Sequence, residues 1–106
     1  MLNAAAILAT LTVTAISPNV VSQNVGTRNF VITGTAFAAG ARVSFVNGTG
    51  GQTPRVVSVT RNSSTQLTAT VQIRDGGPRK NRLWDVQVTN PDGTTAVGAR
   101  LLTITP

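Results

Sequence analysis

The side chains that most often carry chemistry are scarce in this sequence. The 106 residues contain no His, Cys, Glu or Tyr, and the only carboxylates are Asp75, Asp85 and Asp92. Catalysis needs a proton carrier, an activated nucleophile or a metal. The three aspartates lie in separate segments, so no local pair can divide acid and base roles. No Asp-x-Asp calcium loop, phosphate-cradling Gly-Lys motif or His/Cys zinc spacing occurs. The expectation is a protein that is not an enzyme, with no cofactor and no metal.

The other ionic groups are nine Lys/Arg, which give a net charge of +6. Arg28, Arg42, Arg55, Arg61 and Arg100 are dispersed. Only Arg74, Arg79, Lys80 and Arg82 gather, around Asp75 and the turn residues Gly76-Gly77-Pro78. This loop is the one candidate anion-binding site, for nucleic acid or an acidic glycan. It carries no aromatic residue on which bases could stack, and its cations are few, which disfavours nucleic acid. A solvated basic loop is the plainer reading.

The apolar N-terminal stretch, residues 1–11, is a different sort of candidate. It is as long as a signal-peptide core, but no cation precedes it, and it is read as part of the working protein. Leu2, Ile7, Leu8 and Leu11 would each cost about 1.5–3 kcal/mol if left in water. An ordered arm of this kind either folds on its own domain or adds a strand to a neighbour's sheet edge.

The elements that hold these candidates read as strands. Charged residues are only 11% of the chain, and apolar residues 41%. Thr, Ser, Asn and Gln replace ions on the polar positions, and Thr suits a pleated surface because it is β-branched. Apolar residues alternate in Asn29–Thr33, Arg42–Phe45, Thr65–Ile73, Leu83–Val88 and around Leu102 and Ile104. Such alternation marks strands with one buried face. Asn47-Gly48-Thr49-Gly50-Gly51, Arg61-Asn62-Ser63-Ser64 and Asn90-Pro91-Asp92-Gly93 supply turn chemistry between them. About seven short strands and no helical period past residue 12 predict an all-β, immunoglobulin-like sandwich over residues 12–106. The predicted core is Ile16, Phe30, Ile32, Phe37, Val43, Phe45, Leu67, Val71, Trp84, Val86, Val88, Leu102 and Ile104. Trp84 belongs there rather than to a ligand platform, Asp85 faces solvent, and the sequons at Asn47 and Asn62 are incidental.

Four ordered segments resemble a known family. Ala15-Ile16-Ser17-Pro18-Asn19 is similar to the opening I-S-P strand of IPT/TIG domains, the immunoglobulin-like modules of plexins, some transcription factors and many bacterial surface proteins. Phe30 to Phe37 resembles the family's V-x-I-x-G-x-x-F segment, Ala39 to Phe45 its third strand, and Val86 to Gly93 its V-x-V-x-N-P-x-G turn. In that pattern Gly34 is expected to turn the chain off a strand end, with Phe37 folding back over the core. The Asn90–Gly93 turn is expected to pin the hairpin of the last two strands. Gly48–Pro54 and Arg74–Arg82 are longer than the family's usual loops. The resemblance implies a scaffold, and scaffolds of this kind carry many functions.

The combined expectation is a structural or adhesive subunit, extracellular or on a cell surface. It would assemble through its arm with copies of itself or with a neighbouring surface protein. No apolar run is long enough to span a bilayer. The competing readings are a ligand-binding module using the basic loop and a virion decoration protein.

Overall fold

The computed structural model describes residues 10–74 and 79–106, and they form a two-layer β-sandwich. Eight strands follow in order: β1 Thr12–Ser17, β2 Val20–Ser22, β3 Thr27–Thr35, β4 Arg42–Val46, β5 Arg55–Ser63, β6 Gln66–Gln72, β7 Arg82–Thr89 and β8 Thr95–Thr105. One sheet has the order β1-β3-β6-β5 and is antiparallel throughout. The other has the order β2-β8-β7-β4, with β2 parallel to β8. The count is eight rather than about seven. The short β2, three residues long, peels from the first sheet across Ser17-Pro18-Asn19 and joins the second.

Period-two patterning puts the core between the layers. On β6, Leu67, Ala69 and Val71 point inward and are fully buried; on β3, Phe30 and Ile32 do the same. The facing sheet contributes Val43 and Phe45 from β4, Trp84, Val86 and Val88 from β7, and Leu102 and Ile104 from β8. All thirteen predicted core residues are buried, and Val13, Val21, Ala41 and Ile73 join them. Trp84 is 6% exposed, as its inward register requires.

Two motifs are built differently from their sequence reading. Gly34 is not a turn residue: it lies buried within β3, opposite Val13. A Cβ there would stand 2.0 Å from the Thr12 carbonyl oxygen and 2.7 Å from the Phe37 ring. Its role is close approach of two backbones and an aromatic ring. The left-handed turn comes two residues later, at Ala36, with φ 62°.

The Asn90-Pro91-Asp92-Gly93 turn does join β7 to β8, and it ties down more than that hairpin. The Asn90 backbone N–H donates to Thr94 O (2.9 Å), and Gly93, at φ 90°, donates back to Asn90 O (2.9 Å). The Asn90 side chain is buried and reaches across to the segment after β3. Its Nδ2 donates to Ala36 O (2.9 Å), and its Oδ1 accepts from Ala38 N–H (3.0 Å). Arg61 Nε donates to Phe37 O between them (2.8 Å). One end of the sandwich is thereby locked around Phe37.

Candidate assembly surface

The structure places the root of the N-terminal arm inside the domain. Leu11 is 7% exposed and belongs to the hydrophobic core, so the boundary expected after residue 11 falls earlier. Leu11 is a core residue, not an assembly contact. Beside it, the Thr10 carbonyl accepts a short hydrogen bond from Thr35 Oγ1, and Thr12 and Thr35 share a hydroxyl–hydroxyl bond of 2.7 Å. Residues 1–9, with Leu2, Ile7 and Leu8, lie outside the described residues.

The basic cluster does not act as one patch. Arg82 is not on a loop. It opens β7 on the inward face, 1% exposed. Its Nη2 donates to Gln23 Oε1 at 2.8 Å, while its Nε has no partner among the described residues. Gly51, at φ 78°, covers the guanidinium so closely that a Cβ there would meet Nη1 at 2.2 Å. Its place in the pleat explains the burial, since Arg82, Trp84, Val86 and Val88 all project to one side. Arg74 is exposed and donates from Nη1 to Gln52 Oε1 at 3.1 Å. Arg79 and Lys80 are exposed, and residues 75–78 between them and Arg74 lie outside the described residues. A polar hollow of about 220 Å³ beside Arg74 is lined by Gln23, Asn24, Gly26, Gln72 and Ile73.

The described carboxylates serve the backbone. Asp85 points to the outer, solvent side of β7, half-buried, at a break in the β7–β8 ladder between Trp84 and Val86. Its Oδ2 accepts from Asn47 Nδ2 (2.9 Å) and its Oδ1 from Arg100 N–H (2.8 Å). Asn47 and Arg100 both have left-handed backbones, at φ 56° and 53°, so one carboxylate steadies two strained positions. The Asn47 amide, followed by the Arg100 N–H, holds the Asp85 carboxyl below its usual range. Asp92 is held low chiefly by the Thr94 N–H, which it caps at 2.9 Å. Among the described residues no group of three metal-ligating side chains gathers, and no helix is long and apolar enough to cross a membrane.

The four sheet edges differ in how open they are. On one side, β1 packs closely across onto β8; a Cβ on Gly98 would lie 2.9 Å from Val13 O. The edge strand β2 on that side has only three residues. On the other side β4 and β5 face each other and touch sparingly. There Val56 and Val59 on β5 pack on the rim of the core but remain only half-buried, and Val57 is 59% exposed. β5 carries register breaks at Val56/Ser58 and Arg61/Ser63, with Arg55 and Arg61 along it. Bulges and cations of this kind discourage pairing. β4 has neither a bulge nor a proline, and its pairing with β7 is regular from Arg42 to Val46.

This opening had no sequence signal of its own. Val56 and Val59 are three residues apart and share a face only because of the bulge between Val56 and Ser58, and which edge stays uncovered depends on strand order. No protein-family model and no curated protein matches the chain.

Proposed function

We propose that this chain is a non-catalytic structural or adhesive module of the IPT/TIG type, an extracellular or cell-surface subunit that assembles with other copies through its N-terminal arm. The observation that carries this reading is the rooting of the arm. Leu11 is seated in the core and Thr10 is tied to Thr35. The uncharged, apolar segment MLNAAAILA therefore starts from a fixed point on the sandwich.

An apolar segment launched from a fixed root gains most by covering itself, at about 25 cal/mol per Å² of apolar surface removed from water. A contact between an arm and a different surface on the next copy is head-to-tail. It propagates into a filament unless its rotation closes a ring. The polyanion-binding alternative loses ground because Arg82, one of its four cations, is buried in the core.

The test is light scattering and electron microscopy of the full chain across micromolar concentrations. Oligomers that lengthen with concentration support the reading. A monomer at every concentration overturns it.

A further inference from the structure

Resting on that reading, we infer that the acceptor for the arm is the mouth between β4 and β5 of a second copy. The incoming segment pairs along the free edge of β4 and lays apolar side chains over Val56 and Val59.

Three observations converge on this mouth. First, it is where the sandwich leaves inward-facing apolar side chains half covered, whereas the opposite side is closed by β1 lying on β8. Second, both lips carry cations, Arg42 on β4 and Arg55 and Arg61 on β5, but only β4 is a regular edge, since β5 is broken by two bulges. A regular edge presents the unpaired N–H and C=O groups that an added strand needs.

Third, the lengths agree. β4 has five residues, and at about 3.3 Å per residue its edge is roughly 17 Å long. Nine arm residues extend to roughly 30 Å, longer than the edge they would cover. The arm also fits chemically. None of its side chains is charged, and in a strand its Leu2 and Leu8 fall on one face with Ala4 and Ala6 between them. A large-small-small-large face suits a narrow opening lined by valines.

The chain has no cysteine, so single-cysteine variants of the full chain report the acceptor directly. Full-length Ala5→Cys is mixed with full-length Ser44→Cys, whose position is exposed at the middle of β4, and oxidised mildly. Parallel mixtures use Val57→Cys on the opposing lip and Val20→Cys on β2, at the far side of the second sheet. Sedimentation first confirms that each variant assembles as the parent does.

The expected result is a mixed disulfide dimer with Ser44→Cys or Val57→Cys in at least tenfold excess over Val20→Cys. Assembled protein that cross-links preferentially at Val20→Cys, or equally at all three, overturns the acceptor assignment while leaving arm-mediated assembly standing. A parent chain that never assembles removes both.

Discussion

Asn90 offers the sharpest test of how the sandwich end is held. Truncation by Asn90→Ala removes the donor to Ala36 O and the acceptor from Ala38 N–H, bonds of 2.9 and 3.0 Å. Leaving a buried polar group unsatisfied costs about 1–3 kcal/mol. Ala36 and Ala38 are half-buried, so water reaches them in part and the lower half of that range applies to each. The expected loss is about 2–4 kcal/mol, which at a urea slope of ~1.5 kcal/mol/M moves the midpoint down by roughly 1–3 M. Fluorescence of Trp84, the only Trp and a buried one, reports the transition. Asn90→Asp adds a second axis. Its carboxylate keeps the bond from Ala38 N–H but turns an acceptor toward the Ala36 carbonyl. Only the protonated acid can donate there, so its folded-state pKa is raised above the unfolded value near 4. The stability it recovers is fully present below that unfolded value and is lost as pH rises through the folded one. Asn90→Asp should therefore approach the parent's stability at low pH and fall away toward neutrality. A change under 0.5 kcal/mol for Asn90→Ala would refute the clamp.

Three further substitutions probe features invisible to composition. Gly48→Ala places a Cβ about 2.4 Å from the Trp84 ring; the overpacking should cost roughly 1–3 kcal/mol and shift Trp84 emission. Arg82→Ala should destabilise by roughly 2–5 kcal/mol, as truncation of a core side chain does, while Arg79→Ala stays within about 0.5 kcal/mol in the same urea titration. Asp85 has a depressed folded-state pKa, so its contribution is present above the unfolded carboxyl value of 3.8 and is lost as pH falls through the lower folded one. Asp85→Asn should lower the melting temperature at neutral pH and flatten the acid limb, the two melting curves converging below pH 4.

The strands that alternate strictly were legible because one of their faces is dry. Leu67 to Ile73 and Trp84 to Val88 declare their inward sides, and the core follows. β5 was not written that way. As an outer edge with two bulges, most of its residues are exposed, and no period of two survives along Arg55–Ser63. β2 was hidden because its partner, β8, lies some eighty residues on, and three residues leave no pattern. Arg82 was misplaced because a cation beside Arg79 and Lys80 resembles a loop; only the register set by Trp84 and Val86 turns it inward. Leu11 was grouped with the arm because nothing in its type separates it from Leu8, whereas its packing against the core does. The mouth between β4 and β5 is a product of strand order, which no local segment encodes.

Removal of residues 1–9, which spares Leu11 and the Thr10–Thr35 tie, tests the central claim most directly. Sedimentation velocity at matched concentrations compares the shortened chain, the full chain and the full chain carrying Ile7→Asp with Leu8→Asp. The account predicts a folded monomer for the shortened chain, assemblies that grow with concentration for the full chain, and monomer for the doubly charged arm, since an unpaired carboxylate is expensive to bury. Assembly that persists without residues 1–9, or a full chain that stays monomeric, would contradict it.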